Sequence, residues 1–146
     1  MGRYTFAKLN KLRHNGYIDN VVDIKKIIYS ATSSVVGKDD TIGIDLETNS
    51  LYVDVSVFEM GEVTPSKILS NEEKEALLSM LVQYDVTSWE LFYEDTQDVA
   101  DGYGWMFAME GEDGIIEKHR GCGRSKKLVT PPGFEEVEKF MMNLVK

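Results

Sequence analysis

The sequence predicts a single α+β domain, in which a mainly antiparallel β-sheet is packed by two main helices. Three observations lead to this prediction. Hydrophobic and polar side chains alternate over several short segments, as expected for strands with one buried face. Two other segments repeat hydrophobic residues with the helical period. The length of 146 residues is typical of one domain, here 1–146, with a sizeable core.

The first 18 residues are basic and contain no acidic side chain. Because their hydrophobic residues show only weak periodicity, we expect a loosely attached basic arm or a short element. The next segment, 20–32, is ambiguous, since its apolar residues also fit a helical face. β-Branched residues crowd positions 27–36 and favour a strand in its second half.

Residues 41–58 predict a β-hairpin. Residues 41–47 alternate with period two, Thr48-Asn49-Ser50 is typical of a turn, and residues 51–58 alternate again. The side chains expected to face the core are Leu51, Val53, Val55 and Val57. The acidic side chains expected on the opposite, wetted face are Asp45, Glu47 and Asp54.

The two helices are predicted over residues 71–84 and 133–145. Ser70 to Glu73 forms a capping box, in which each side chain hydrogen-bonds the backbone of the other residue. The second helix follows Pro131 and Pro132 and carries an apolar stripe at helical spacing.

The remaining strands are predicted over residues 103–110 and 115–120. Both faces of the first are largely apolar, which indicates a strand inside the sheet. Asp113-Gly114 between them is typical of a hairpin turn. Residues 121–130 are basic and rich in glycine, and we interpret them as a loop.

The C-terminal part of the sequence carries a loose pattern. Asp101-Gly102-Tyr103-Gly104-Trp105 is followed by a hairpin, Gly121, and Pro132-Gly133-Phe134 before the last helix. This pattern resembles small uncharacterised bacterial proteins ending "DG-x-x-W … G … P-x-x-F". The resemblance covers residues 101–146. It implies an α+β fold and carries no known activity, so it transfers no functional residue.

Charge is strongly sorted along the chain. Residues 39–113 hold nineteen acidic side chains and two basic ones, within a formal net charge of −9. A surface of this kind repels nucleic acid and membranes and steers cationic partners, so we expect a basic protein surface as the partner. The candidate partner-binding residues are Asp45, Glu47, Asp54, Glu94, Asp95 and Asp98.

Two further groups of residues are candidates for chemistry. His119 and Cys122 are the best enzymatic candidates, because a thiolate nucleophile needs a nearby base or cation. The basic segment after them is a candidate anion site, formed by Arg120, Arg124, Lys126 and Lys127. One cysteine and two histidines lack the spacing of a zinc site, and no phosphate-binding motif occurs. We therefore expect no metal and no cofactor.

These features favour a non-catalytic acidic binding or regulatory protein that engages a basic partner. In a sharper form, it is a bacterial or phage inhibitor, or an immunity-type protein, that imitates the phosphate pattern of nucleic acid. The alternative is a small cysteine-dependent enzyme using Cys122 with His119. No signal peptide or membrane span is recognisable in the sequence, which favours the cytoplasm.

Overall fold

A computed structural model describes residues 5–33, 38–54, 59–60, 62–94 and 103–145. The strands in these ranges are β1 Ile24–Ser33, β2 Lys38–Asp45, β3 Ser50–Val53, β4 Lys67–Ile68, β5 Phe92–Glu94, β6 Tyr103–Gly111 and β7 Ile116–Gly123. The α-helices are α1 Thr5–Lys11, α2 Asn71–Gln83 and α3 Phe134–Leu144. The strands form one sheet in the order β4-β3-β2-β1-β6-β7-β5, antiparallel except for the β5–β7 pair. The predicted α+β class is confirmed.

Strand β1 lies at the centre of the sheet and corresponds to the ambiguous segment 20–32. It pairs with β2 on one side and with β6 on the other. Ile27 and Tyr29 pack on one face of the sheet, and Ile28 packs on the other. A strand covered on both faces does not alternate between polar and apolar residues, which explains the ambiguity of its sequence.

Helices α2 and α3 pack on the first face of the sheet. The core there contains Trp89, Trp105 and Phe134, and the Trp105 and Phe134 ring centroids lie 4.8 Å apart. The capping box of α2 is present, with the Glu73 amide donating to Ser70 Oγ and the Ser70 amide donating to the Glu73 carboxylate. Both predicted helices are confirmed, and each end of α2 and α3 lies within one residue of the predicted end.

Helix α1 packs on the second face of the sheet. Phe6 and Leu9 are buried there against Ile28, Tyr52 and Met60. An arm or a short element was expected for the first residues, and residues 5–11 form a short helix that packs on the sheet. None of the helices in the described ranges is both long and apolar enough to cross a bilayer.

The β2–β3 hairpin is confirmed, but its second strand is shorter than predicted. Ile44 pairs with Leu51, and the strand ends at Val53. Asp54 follows in the left-handed region, with a φ of 55°, which interrupts the extended backbone. Val55 and Val57, which were expected to continue the strand, lie outside the described residues.

The segment 121–130 was expected to be a loop, but its first three residues belong to strand β7. Gly121 lies opposite Trp105 in the β6–β7 register. The indole Nε1 of Trp105 donates to the Val129 carbonyl oxygen at 2.7 Å, directly over Gly121. A Cβ atom at position 121 would collide with both of these atoms.

We therefore predict that Gly121→Ala lowers the free energy of unfolding by about 1–3 kcal/mol, because the added methyl group overpacks the indole hydrogen bond. Gly104 provides the matched control, since its nearest neighbour beyond a new Cβ is the Gly121 carbonyl oxygen at 3.8 Å. Gly104→Ala should leave stability unchanged or raise it by up to about 1 kcal/mol. Urea denaturation measures both; equal effects would contradict the close packing at Gly121.

Candidate functional site: an acidic end of the sheet

The strand pairing gathers acidic residues at one end of the sheet. Lys26, near the start of β1, lies between Asp45 of β2 and Glu110 of β6 in the strand register. The Glu112 amide donates to the Asp23 carbonyl oxygen at 2.9 Å, which holds the end of β6 against the start of β1. The acidic residues that lie at this end of the sheet are Asp19, Asp23, Asp45, Glu47, Glu110, Glu112 and Asp113. We call this set the acidic end.

Two of the lysines beside the acidic end are engaged within the protein, and a third, Lys25, is half-buried. Lys26 is only 7% exposed, and its Nζ lies 3.4 Å from Glu47 Oε1. Lys74 of α2 donates to the Leu46 carbonyl oxygen at 3.1 Å. Five of the carboxylates, by contrast, are exposed: Asp19, Asp23, Glu47, Glu112 and Asp113. The acidic end therefore presents mainly negative charge to the solvent.

The structure separates the acidic residues that the sequence singled out. Asp45 and Glu47 belong to the acidic end. Asp54 lies farther along the hairpin, where its amide donates to the Thr41 carbonyl oxygen at 2.8 Å. Glu94 lies on β5, at the far edge of the sheet, about four strand spacings or 19 Å from β2. Asp95 and Asp98 lie outside the described residues.

Sequence reasoning missed Asp19, Asp23, Glu110, Glu112 and Asp113 as members of one surface. The first two precede β1, and the others surround the β6–β7 turn. Only the pairing of β1 with β6 brings these distant segments together. A prediction of that strand pair from the sequence would have been the signal that finds them.

The basic residues predicted as one anion site also separate. Arg120 lies on β7, with its guanidinium 4.9 Å from the centroid of the Phe92 ring. Lys126 forms an ion pair with Glu138 of α3. Arg124 and Lys127 are exposed beyond the end of β7. Arg120 and Lys126 thus contact different parts of the fold, Phe92 and Glu138.

Glu138 joins α3 to the sheet. It accepts a hydrogen bond from the Tyr29 hydroxyl at 2.7 Å, in addition to its ion pair with Lys126. Burial, together with the hydrogen bond to this carboxylate, raises the pKa of Tyr29 above its ordinary value. Lys126 therefore takes part in an ion pair within the protein.

His119 and Cys122 do not form a pair. They are three residues apart on strand β7, so their side chains project from opposite faces. His119 is fully buried on the face that α2 and α3 cover, beside Trp89. Cys122 is exposed on the other face. The histidine therefore cannot serve as a base for this thiol in the observed arrangement.

His119 instead forms a buried pair with Glu117. The two side chains are completely inaccessible, and His119 Nε2 lies 2.6 Å from Glu117 Oε2. His119 Nδ1 lies 3.0 Å from the Glu90 carbonyl oxygen, which can only accept, so Nδ1 carries a proton. The Ile18 amide donates to the second oxygen of Glu117 at 2.8 Å. The pair thus connects β7 with two separate loops.

His14 lies on the α1 side of the sheet and hydrogen-bonds to β7. The Lys118 amide donates to His14 Nδ1 at 3.1 Å, so the neutral ring carries its proton on Nε2. Burial lowers the pKa of His14 below its ordinary value, with a further lowering by His119 and an opposing effect of Glu117. No group of three or more His, Cys, Asp or Glu side chains within the described ranges is arranged to hold a metal ion.

We predict that Glu117→Ala lowers the free energy of unfolding by about 3–5 kcal/mol, because it leaves the buried imidazole and the Ile18 amide without their partner. Glu117→Gln should lower the free energy of unfolding by less, since its side-chain amide still accepts from the Ile18 amide and donates to a neutral His119. Glu112→Ala, at an exposed carboxylate, serves as the control and should stay within about 0.5 kcal/mol. Denaturant unfolding monitored by tryptophan fluorescence measures all three. A loss below about 1 kcal/mol for Glu117→Ala would contradict the pair.

We also predict a loss of stability on acidification that depends on His14. A histidine whose pKa is lowered on folding binds its proton more tightly in the unfolded chain, so its contribution is fully present above pH 6.5 and is lost as the pH falls through the folded-state value. The free energy of unfolding should therefore fall between about pH 7.5 and 5, and His14→Gln should show a smaller fall. If the free energy of unfolding falls equally with pH in the unmodified protein and in His14→Gln, His14 is not the group responsible.

Comparison with known proteins gives no relative for this chain. No protein-family model, no curated protein and no solved structure matches it. The likeness of residues 101–146 to small bacterial α+β proteins therefore stays a prediction, and a function has to be argued from the geometry of the acidic end and of strand β7.

Proposed function

We propose that this protein is a non-catalytic binding or regulatory protein whose acidic end engages a basic surface on a partner protein. One observation carries the proposal. Acidic residues from three distant segments lie at one end of the sheet, five of them are exposed, and two of the nearby lysines, Lys26 and Lys74, are engaged within the protein. Clustered surface charge of one sign attracts and orients partners of the opposite sign.

The arrangement of strand β7 supports a binding role over the cysteine-dependent alternative. His119 is held by Glu117 and by the Glu90 carbonyl oxygen, and both of its ring nitrogens are occupied. Cys122 faces the opposite side of the sheet. A cysteine-dependent enzyme would require another base for the thiol.

The sharper form of the proposal is a bacterial or phage inhibitor, or an immunity-type protein. Carboxylates at the ends of neighbouring strands present several negative charges on a rigid frame. A basic surface that binds nucleic acid recognises such charges largely through Coulomb attraction, whatever group carries them. The protein would then occupy its partner's basic surface in place of the nucleic acid.

The test uses the protein as bait for affinity capture from a cell lysate, followed by association kinetics with the purified partner. The variant Asp19→Lys/Asp23→Lys/Glu112→Lys reverses three exposed charges of the acidic end. We expect a strong fall in the association rate, with a smaller change in the dissociation rate, because the charges act mainly on the encounter. Stability should change by no more than about 0.5 kcal/mol per substitution.

The matched control is Glu75→Lys/Glu94→Lys/Glu135→Lys, which makes the same change in net charge at exposed positions outside the acidic end. The control variant should associate considerably faster than the first variant. If the two variants associate equally slowly, net charge alone sets the association rate and the acidic end has no special role. If the association rate of the unmodified protein does not change with salt between about 50 and 500 mM, the electrostatic basis of the proposal is removed.

A further inference from the structure

A groove opens on the second face of the sheet, beyond the part that α1 covers. Its volume is about 640 Å³. The end of α1 and the residues after it form one wall, β6 and β7 form the floor, and Leu91 and Phe92 form the other wall. Among the residues that the structure describes, the ionisable ones that line the groove are all basic: Lys11, Arg13, His14, Lys118 and Arg120. This is unusual in a chain with a formal net charge of −9.

The cations on the floor of the groove are held close together. Lys118 and Arg120 are two residues apart on β7 and therefore lie on the same face of the strand. Burial, and then repulsion from Arg120, lowers the pKa of Lys118. Two like charges at neighbouring positions are unfavourable by themselves, and an anion placed between them would offset this repulsion.

The groove also has an apolar wall. The Phe92 ring lies beneath the Arg120 guanidinium, at 4.9 Å, and this contact orients the guanidinium. Phe92 is 43% exposed, and Leu12 and Leu91 beside it are also exposed. A second depression of about 470 Å³ shares Phe92, Met106 and Arg120 with the groove and extends to Cys122. The surface thus combines a cationic floor with exposed aromatic and aliphatic groups.

We propose that this groove binds a small organic phosphate, with the phosphate between Lys118 and Arg120 and an apolar, planar group against Phe92 and Met106. A phosphate monoester carries about −1.5 to −2 charge at pH 7, which suits several clustered cations better than one carboxylate does. The groove volume is in the range of small-molecule sites, about 300–1,000 Å³. A long nucleic acid is disfavoured, because strands leaving the groove would meet a strongly acidic protein.

The first test is calorimetric titration with phenyl phosphate, which supplies both a phosphate and an aromatic ring. Inorganic phosphate and phenol are the controls, each lacking one of the two. We expect phenyl phosphate to bind at least about tenfold more tightly than either control, because it engages both walls. Equal binding of phenyl phosphate and inorganic phosphate, or no binding of phenyl phosphate up to about 10 mM, would overturn the proposal.

Two variants locate the site. Arg120→Ala removes a groove cation and should weaken phenyl phosphate binding about tenfold. Lys127→Ala removes an exposed cation outside the groove and should leave the affinity unchanged. If Lys127→Ala weakens phenyl phosphate binding and Arg120→Ala does not, the proposed site in the groove is wrong. The anion would then bind on the segment after β7. Circular dichroism verifies that both variants are folded.

A third test needs no variant. Cys122 is the only cysteine of the chain and lies in the depression that adjoins the groove. Saturating phenyl phosphate should slow the reaction of Cys122 with uncharged iodoacetamide, whereas phenol at the same concentration should not. An unchanged rate at saturation would overturn the placement of the aromatic group near Met106. None of these tests involves the acidic end, so they succeed or fail independently of the proposed partner binding.

Discussion

The pairing of strand β1 with both β2 and β6 is the constraint on which the rest of the structure depends. Ile27 and Ile28 on this strand belong to the two different cores, one under α2 and α3 and the other under α1. The same pairing fixes Lys26 between Asp45 and Glu110. The register that builds both cores therefore also assembles the acidic end, and a shift of one residue would exchange the two faces of the strand.

The parts of the fold that follow from local sequence were predictable. Ser70 and Glu73 define the start of α2 by themselves, and the period-two pattern of residues 41–53 defines the hairpin. Strand β1 was ambiguous because burial on both faces removes the alternation on which the prediction depends. The sequence left residues 1–18 open between an arm and a short element, because Phe6 and Leu9 give only one apolar contact pair and the packing of α1 on the sheet is a tertiary property.

The candidate sites were less predictable, because they depend on which segments meet. Charge sorting along the sequence indicated an acidic surface, but Glu94 and Asp54 lie away from Asp45 and Glu47. His119 and Cys122 were candidates because of their residue types and short separation in sequence; because strand β7 continues through both, a separation of three places them on opposite faces. Arg120 was a candidate for anion binding, but several of its neighbours in the groove come from residues 11–14, about a hundred positions earlier.

The contacts of the N-terminal segment have a consequence for folding during synthesis. His14 bonds to Lys118, and Ile18 to Glu117, across sequence separations of 104 and 99 residues. On a ribosome adding about 5–20 residues per second, the segment waits roughly 5–20 s for the strand it binds. During that interval Phe6, Leu9 and the apolar residues they later cover are exposed to other chains. Residues 14–18 therefore complete their hydrogen bonds to the sheet only after β7 has been synthesised, which places this step late in folding on the ribosome.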